Sequence, residues 1–333
     1  MVVLVTGGMG YIGSHTCVEL LKENHRLIII DNLSNSSQYI KDKIEKISKK
    51  SSVTFYKINL IDKAALKEIF RKENIEVVIH FAGLKAVGES VENPIKYYYN
   101  NVASSITLFD IMNKYNVKNL IFSSSATVYG VPKELPIKED ANLNAVNPYG
   151  NSKLMIENIL KDISLSDENW NIVILRYFNP VGAHESGLIG ENSVGIPNNL
   201  MPYICQVAKG IFPKLYVFGD NYNTPDGTGV RDYIHVVDLV KGHIKSINRL
   251  LEKKRLSIYN LGTGIGYSVL DIIKTFKEET GIKINYEITE RRPGDISSCY
   301  ADPSKARFEL DWKAEKNLKD MCKDSWNFYK NSK

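Results

Sequence analysis

A glycine-rich turn directly after a short apolar strand is the feature that most constrains this chain. Val2–Thr6 is predicted to be the strand, a helical pattern begins at Ile12, and the turn between them contains Gly7, Gly10 and Gly13. Glycines at this spacing allow a tight turn and let the backbone approach a pyrophosphate, which binds the N–H groups at a helix N-terminus. The turn therefore predicts a dinucleotide-binding strand–turn–helix unit.

The alternation of strand and helix continues through the first half of the chain. The predicted strands are short runs rich in Val and Ile: Val2–Thr6, Leu27–Ile30, Val53–Lys57, Val77–His80, Asn119–Phe122 and Ile172–Tyr177. The predicted helices lie between and beside them: Ile12–Lys22, Tyr39–Lys49, Lys63–Lys72, Pro94–Tyr115 and Tyr149–Lys161. This order predicts an α/β fold with a doubly wound, parallel Rossmann-type sheet.

The second predicted strand is followed by an acidic residue, Asp31, which lies 18 residues after Gly13. At this position a carboxylate accepts hydrogen bonds from the ribose hydroxyls of a dinucleotide and repels a 2′-phosphate. The next residues, Asn32 to Ser34, include no arginine that could pair with such a phosphate. We therefore expect the cofactor to be NAD rather than NADP.

The character of the sequence changes after Asn179. Pro and Gly become frequent from Pro180 to Gly229, and long regular patterns are fewer. A helix at Val236–Leu251 and a strand at Ser257–Leu261 are regular enough to rejoin the first sheet. We expect an NAD-binding domain over residues 1–180, rejoined by 233–262, and a smaller, interleaved C-terminal substrate domain over 181–333.

A tyrosine and a lysine four residues apart share one face of a helix. The chain has four such pairs: Tyr39/Lys43, Tyr129/Lys133, Tyr149/Lys153 and Tyr329/Lys333. Only Tyr149/Lys153 begins a helix after a strand that ends in serines, Ser123 to Ser125. We expect the Lys153 ammonium to lower the pKa of Tyr149, so that the phenolate can take a proton from a substrate hydroxyl, directly or through a serine.

Composition and charge argue against several other classes of protein. The 43 basic and 38 acidic residues give a net charge of only +5 with no basic stripe, so we expect no nucleic-acid partner. We also expect no membrane association, because no apolar run approaches the length of a membrane span. The four cysteines are far apart, which fits a reducing cytoplasm, and the six histidines form no metal-binding spacing.

Several motifs together resemble those of the extended short-chain dehydrogenases/reductases. They are Thr6–Gly13 (TGGMGYIG), Phe81–Lys85 (FAGLK), Ser123–Gly130 (SSSATVYG), Pro148–Lys153 (PYGNSK) and Arg176–Pro180 (RYFNP). Three later motifs resemble the UDP-glucose 4-epimerases in particular: Ile196–Leu200 (IPNNL), Gly229–His235 (GVRDYIH) and Arg291–Asp295 (RRPGD). The resemblance extends nearly from end to end of the chain.

The resemblance implies a role for each matching residue. Tyr149 is the general base, Ser125 relays or orders the proton, and Lys153 completes the catalytic set. The NAD-binding residues are Gly7, Gly10, Tyr11, Ile12, Gly13, Asp31, Asn32, Asn35, Asn59, Phe81, Ala82, Gly83, Lys85, Asn100, Tyr149, Lys153 and Phe178. The resemblance also implies a UDP-sugar-binding region over 181–333. The predicted substrate residues in it are Asn199, Leu200, Phe218, Arg231, Arg292, Asp295 and Cys299. Two further substrate residues, Ser125 and Asn179, lie before this region. The family also suggests a homodimer.

One of these positions departs from the usual family pattern, and a second distinguishes members of the family by their substrates. Asn59 stands where the family usually has an aspartate that contacts the adenine amino group, and its amide oxygen can still accept that hydrogen bond. Cys299 stands where epimerases confined to plain hexoses carry a tyrosine. Because a cysteine leaves room for a 2-acetamido group, we expect UDP-N-acetylhexosamines to be substrates as well.

Two rival functions share the expected fold. A 4,6-dehydratase usually has Asp-Glu directly after the catalytic Ser or Thr, whereas this chain has Ala126-Thr127. A non-catalytic NAD-sensing protein would have no need of the intact Tyr149, Lys153 and Ser125. The sequence therefore favours an NAD-dependent 4-epimerase, an isomerase that works through a 4-keto sugar.

Overall fold

The structure is a computed structural model that describes residues 1–51, 53–192, 195, 197–252, 254–292 and 294–332. Ile196 and Pro293, which belong to two of the motifs above, lie outside the described residues, as does Lys333 of the last Tyr/Lys pair. The chain forms two compact units. The first comprises Met1–Gly130, Asn142–Arg176 and Val240–Tyr259. The second comprises Val131–Ala141, Tyr177–Leu239 and the described chain from Asn260 onward.

The elements up to residue 177 follow the predicted alternation. In chain order they are β1 (Val2–Thr6), α1 (Tyr11–Lys22), β2 (Arg26–Asp31), α2 (Tyr39–Ser48), β3 (Val53–Lys57), α3 (Lys63–Lys72), β4 (Val77–His80), α4 (Val87–Glu92), α5 (Pro94–Tyr97), a π-helix (Tyr98–Ala103), α6 (Ser104–Lys114), β5 (Asn119–Ser125), a 3₁₀ turn (Ala126–Tyr129), α7 (Pro148–Ser166) and β6 (Asn171–Tyr177).

The later elements are shorter on average. In chain order they are β7 (Asn179–Val181), α8 (Leu200–Ala208), β8 (Leu215–Phe218), β9 (Val230–His235), α9 (Val236–Leu251), β10 (Leu256–Leu261), β11 (Gly266–Ser268), α10 (Val269–Thr280), β12 (Tyr286–Thr289), β13 (Ser298–Cys299), α11 (Ser304–Glu309) and α12 (Leu318–Asn331). Among the described residues, no helix is both long and apolar enough to cross a membrane.

The first unit is built on a parallel seven-stranded sheet with the order β10-β6-β5-β4-β1-β2-β3. The chain runs from β1 through β2 to β3 on one side, and from β4 through β5 to β6 on the other. The direction of winding therefore reverses between β1 and β4, and ligands bind beyond the carboxyl ends of strands at such a switch point. The predicted doubly wound parallel sheet is confirmed.

The predicted long helix Pro94–Tyr115 is broken in the structure. A π-helical segment, Tyr98–Ala103, separates α5 from α6. At its centre the buried Asn101 side chain accepts a hydrogen bond from Leu84 N–H at 2.8 Å and donates to Leu84 O and Ser152 Oγ, each at 3.0 Å. These bonds connect the segment to the loop after β4 and to α7, which the helical periodicity alone could not reveal.

The second unit contains two small sheets. In one, β9 pairs with β7, β11 and β13, and in the other β8 pairs with β12. Helices α8, α10 and α12 contribute apolar side chains to its core, such as Ile204, Phe276 and Met321. Asp232 in β9 is fully buried, and its carboxylate accepts hydrogen bonds from Thr263, Gly264 and Ala301.

The observed units differ from the predicted division in three stretches. Residues 177–180, expected in the first domain, belong to the second unit. Residues 131–141, expected in the first domain, belong to the second unit because Ile137 exchanges backbone hydrogen bonds with Tyr300 and Asp302 there. The stretch that returns to the first unit is 240–259 rather than 233–262. The observed interleaving thus has two crossings more than the sequence indicated, because the stretch 131–141 leaves the first unit and returns to it.

Candidate active site

The glycine turn joins β1 to α1 through contacts that exclude larger side chains. Gly7 has φ +69°, and a Cβ atom added at Gly13 would lie 2.3 Å from the carbonyl oxygen of Gly7. Gly10 is the N-cap of α1 and has no side chain with which to cap it. The glycines therefore let the turn close tightly at the start of α1, where no N-cap side chain caps the first-turn N–H groups, and these residues fit the pyrophosphate of NAD.

Asp31, at the end of β2, is held against this turn. Its Oδ2 accepts a hydrogen bond from Met9 N–H at 3.0 Å, and its Oδ1 accepts from Leu33 N–H at 2.8 Å and Ser36 Oγ at 3.0 Å. The side chain is buried yet can accept a further hydrogen bond, because among the described residues Oδ2 accepts only the one from Met9 and has a second lone pair. The neighbouring Asn32 and Asn35 are exposed. This geometry fits the predicted ribose-binding role of Asp31.

The loop after β4 carries the next group of predicted cofactor residues, Phe81 to Lys85. Its backbone touches the glycine turn, since a Cβ at Gly7 would lie 2.8 Å from Ala82 N. Lys85 Nζ lies 5.8 Å from the ring centroid of Tyr11. The structure therefore brings this loop together with the start of α1, where Ile12 also lies.

Asn101, which the sequence analysis did not select, holds this loop, whereas the predicted Asn100 is its neighbour in the π-helix. A Cβ added at Gly83 would lie 3.2 Å from Asn101 Oδ1, so the loop packs closely on this amide. Two adjacent asparagines within an otherwise helical pattern were the available signal, because asparagine is a poor helix former.

Asn59 lies beyond the end of β3, where it is exposed. Its Oδ1 accepts a hydrogen bond from Ile61 N–H at 3.2 Å and so forms part of the turn into α3. An amide oxygen has a second lone pair that could still serve an adenine amino group. Phe178, another predicted cofactor residue, lies in the second unit and is buried, and its N–H donates to Leu261 O.

The predicted catalytic residues meet where β5 ends and α7 begins. The hydroxyl of Tyr149 shares a hydrogen bond with the Ser125 side chain. Ser125 Oγ also accepts hydrogen bonds from Thr127 N–H at 3.2 Å and Thr127 Oγ1 at 3.0 Å. Asn147 caps α7 by accepting from Gly150 N–H at 2.8 Å, and Pro148 occupies the first turn, which fixes where the helix begins.

The expected lowering of the pKa of Tyr149 by the Lys153 ammonium is not found in the protein without bound NAD. Burial raises the pKa of Tyr149, and the hydrogen bond with Ser125 opposes that rise. Lys153 is itself buried, donates to Ser123 O at 2.7 Å, and has its pKa lowered to about 8 by burial, against which Glu157 acts. Lys153 therefore donates its hydrogen bond to β5 rather than to the hydroxyl of Tyr149.

Several predicted substrate residues lie around β9 in the second unit. Arg231 pairs in register with Cys299 of β13, and Asn179 of β7 pairs with Tyr233. Arg231 Nη1 donates to Val230 O at 2.8 Å. Cys299 is buried, and burial raises the pKa of its thiol to about 11, which leaves it a small neutral side chain.

A second group in this unit combines an aromatic ring, a cation and an anion. The Arg292 guanidinium lies 4.8 Å from the ring centroid of Phe218, and its Nε donates to Asp295 at 3.0 Å. Asn199 is the N-cap residue of α8, which begins at Leu200, and its side chain donates to Glu191 at 2.8 Å. Within the described ranges there is no group of three or more His, Cys, Asp or Glu side chains that could hold a metal ion.

Comparisons with known proteins agree on one family. A family model described as GDP-mannose 4,6 dehydratase matches residues 4–325. The curated UDP-glucose 4-epimerase of Bacillus subtilis is 55% identical over 328 residues, which cover 98% of this chain and 96% of that protein.

Solved structures give the same result. The UDP-glucose 4-epimerase of Bifidobacterium longum, in complex with NAD⁺ and UDP, matches with a TM-score of 0.96, 54% identity and 99% coverage of both chains. The UDP-Glc/GlcNAc 4-epimerase of Campylobacter jejuni matches with a TM-score of 0.86, 35% identity and 99% coverage of both chains. This chain therefore belongs to the UDP-glucose 4-epimerases of the extended short-chain dehydrogenase/reductase family.

Proposed function

We propose that this chain is an NAD-dependent isomerase that interconverts UDP-glucose and UDP-galactose by inverting C4 of the sugar. The observation that carries the proposal is the meeting of α7 with the end of β5, where Lys153 donates to Ser123 O at 2.7 Å and Tyr149 lies beside Ser125. It lies in the same unit as the glycine turn and Asp31, the two features that fit NAD. The relatives with this function share more than half of their sequence with this chain over nearly its full length.

The residues of the first unit supply acid–base chemistry. When bound, NAD supplies a reversible two-electron acceptor for the carbon that bears the reacting hydroxyl, together with a positive charge. Tyr149 accepts the proton of that hydroxyl, directly or through Ser125, and later returns it. Thr127 holds Ser125 in place for this exchange by donating two hydrogen bonds. Because the proton leaves and returns at the same group, Tyr149 serves as base and then as acid.

The residues of the second unit are assigned to the nucleotide. Arg231 and Arg292 suit a pyrophosphate because guanidinium groups pair with phosphate oxygens in a bidentate manner. Phe218 offers a ring for the uracil, Asp295 an acceptor for a ribose hydroxyl, and Asn179 and Asn199 offer amide groups. With binding energy concentrated on the nucleotide, the sugar can turn and present its other face. This division assigns NAD to the first unit and most of the UDP-sugar contacts to the second, which comprises most of the predicted region 181–333.

A 4,6-dehydratase is the competing function, since the matching family model has that description. Its reaction needs an acidic pair after the catalytic serine, where this chain has Ala126 and Thr127 in a 3₁₀ turn. Alanine cannot exchange protons, and the Thr127 hydroxyl donates to Ser125. Incubation with UDP-glucose separates the functions, because an epimerase yields UDP-galactose and a dehydratase yields a stable 4-keto-6-deoxy product.

We further propose that UDP-N-acetylglucosamine and UDP-N-acetylgalactosamine are substrates. The support is the small side chain of Cys299, which lies beside Arg231 in the strand pairing. A tyrosine ring at this position would fill the volume that a 2-acetamido group needs, and overlap rejects a ligand more strongly than the loss of one contact.

Two substitutions of Cys299 distinguish an effect of side-chain volume on substrate range from an effect of the thiol group. Cys299→Tyr should abolish turnover of the N-acetylated sugars and spare that of the plain hexoses, whereas Cys299→Ala should retain both activities. The measurement is product formation from each of the four UDP-sugars. A wild-type enzyme that converts UDP-galactose but not UDP-N-acetylglucosamine would contradict the pocket argument.

We also propose that the enzyme is a homodimer that works in the cytoplasm. Exposed apolar side chains recur every four residues along α4, α5 and the π-helix, at Val87, Val91, Ile95 and Tyr99. Such a stripe is typical of a contact surface, and a second copy of the chain offers a self-complementary partner.

The support for the cytoplasm comes from the cysteines. All four are free and buried, which suits a reducing compartment.

A further inference from the structure

Three residues on one face of α7 contact three successive residues of β5. Tyr149, Lys153 and Glu157 are spaced four residues apart, so they point to the same side of the helix. Tyr149 bonds Ser125, Lys153 donates to Ser123 O at 2.7 Å, and Ser124 Oγ donates to Glu157 Oε1 at 2.6 Å. The first two residues belong to the proposed reaction, whereas Glu157 has no role assigned to it so far.

Glu157 forms a fully buried ion pair with Arg176 of β6. Arg176 Nε donates to Oε1 at 3.0 Å and Nη2 donates to Oε2 at 2.7 Å, and the two side chains are 0% and 1% exposed. Arg176 Nη1 also donates to Tyr129 OH at 2.9 Å. Tyr129 ends the 3₁₀ turn that follows Ser125, so the ion pair holds the chain on both sides of this serine.

Fold stability alone is a weak reason for such a pair. Removing two charges from water costs several kcal/mol for each ion, and well-packed apolar residues often stabilise the same volume equally well. We propose that Glu157, clamped by Arg176, is a positioning residue of the epimerase: it holds Ser125 in place beside Tyr149 and keeps Lys153 positively charged. This proposal rests on the proposed function insofar as Tyr149 and Lys153 act there.

The charges around Lys153 support the electrostatic part of the proposal. Burial lowers the pKa of Lys153 to about 8, and the Glu157 carboxylate opposes that shift. The other titratable or charged groups on the elements near this face include His80 of β4, Glu89 and Glu92 of α4, Lys96 and Tyr97 of α5, Tyr98 and Tyr99 of the π-helix, Tyr129 of the 3₁₀ turn and Arg176 of β6. Burial lowers the pKa of His80 to about 3, so it is neutral, and Glu89 is engaged by Lys96 and Tyr97.

Loss of the Glu157 charge should therefore lower the pKa of Lys153 further. A lysine with a lower pKa loses its proton at a lower pH, and the uncompensated Arg176 charge acts in the same direction. The charged form of Lys153 is the one that can donate to NAD and stabilise a phenolate at Tyr149. As the pH rises, a variant without the Glu157 charge should therefore lose turnover and bound NAD at a lower pH than the wild type does.

The test compares Glu157→Gln with a matched control, Glu73→Gln, in the NAD-loaded protein. Glu73 is also a buried carboxylate paired with an arginine and a tyrosine, Arg26 and Tyr56, but it is the C-cap residue of α3 and its partners lie on β2 and β3, away from β5 and β6 in the sheet. In Glu157→Gln the alkaline limb of the kcat profile should move down by about one pH unit. Glu157→Asp should recover part of that shift, and Glu73→Gln should keep the wild-type limb.

NAD retention after gel filtration, measured between pH 6 and 10, gives a readout that needs no turnover. Glu157→Gln should release NAD at a lower pH than the wild type and Glu73→Gln. If Glu157→Gln does not fold, the double variant Glu157→Leu/Arg176→Met leaves no unpaired charge and should show smaller shifts in the same downward direction, because Lys153 still loses the Glu157 carboxylate. A folded variant with wild-type pH limits for both readouts would overturn the proposal. Absence of turnover in the wild type would instead refute the proposed function, and the retention profile would still test Glu157.

Discussion

In the protein alone Tyr149 stays a neutral phenol near neutral pH and offers little phenolate as a base, because burial raises the pKa of the phenol above the ordinary value of about 10. The hydrogen bond from Ser125 offsets only part of this rise. The phenolate therefore depends on positive charge brought near it when NAD binds, with Lys153 as the contribution of the chain. Such an arrangement keeps the base inactive until the cofactor is in place.

Tyr149→Phe should leave the fold and the bound NAD intact and lower kcat by at least about 100-fold, since that is the usual contribution of a positioned acid–base group. Tyr39→Phe is the matched control, because Tyr39 also has a lysine four residues later but is 66% exposed on α2. Steady-state rates with UDP-galactose provide the comparison. Near-normal turnover by Tyr149→Phe would remove this residue from its role.

Asp31 should decide between NAD and NADP. The double variant Asp31→Ser/Asn32→Arg replaces the carboxylate that repels a 2′-phosphate by a nearby guanidinium, so the Kd for NADP should fall. The Kd for NAD should rise, partly because Met9 N–H loses its acceptor. Asn32→Arg alone, which keeps the carboxylate, should change both values less. The ribose argument fails if the wild type binds NADP as tightly as NAD.

At the scale of elements, the central strands could be predicted from the sequence, whereas the long-range contacts that shape the elements around them could not. Strands such as β1 and β4 are apolar up to their last residue because both faces of the sheet are covered, and that property is visible in the sequence. The break at the π-helix depends on the bonds of Asn101 to Leu84, 17 residues away. No periodicity reports a contact of this kind.

The candidate site shows the same limit. The glycine turn, Asp31 and the Tyr149/Lys153 pair have local spacings that point to a chemistry. Glu157 and Arg176 are 19 residues apart on different elements, so their ion pair appears only in the folded chain. The direction of Lys153 toward Ser123 was likewise set by burial against β5, which the spacing along α7 could not show.

Two glycine substitutions test how tightly the cofactor turn is packed. Gly13→Ala places a Cβ 2.3 Å from Gly7 O and should lower the free energy of unfolding by about 1–3 kcal/mol and weaken NAD retention. Gly88→Ala in α4 meets no atom within 4 Å and should be neutral or stabilising by up to about 1 kcal/mol. Urea unfolding midpoints and bound NAD are the measurements. Equal unfolding midpoints and equal amounts of bound NAD in the two variants would refute the close approach of residue 13 to Gly7 O.

At the scale of the whole molecule, the apolar stripe on α4, α5 and the π-helix should mediate self-association. Ile95 is 82% exposed, so Ile95→Glu should leave the fold unchanged while it introduces a charge that a buried contact cannot hold. Phe308→Glu, at a side chain that is 83% exposed on α11, is the control. Sedimentation velocity should show a wild-type dimer, a monomeric Ile95→Glu and a dimeric control. A wild-type monomer at micromolar concentration would contradict this proposal.

The most direct test of the central claim is the conversion of UDP-galactose by the purified protein with no NAD added. Because the residues around the glycine turn and Asp31 should retain NAD through each cycle, UDP-glucose should form until the two sugars reach equilibrium. Product should be absent, or at least about 100-fold slower to form, with Tyr149→Phe. A folded wild-type protein that contains NAD and forms no UDP-glucose would contradict the account.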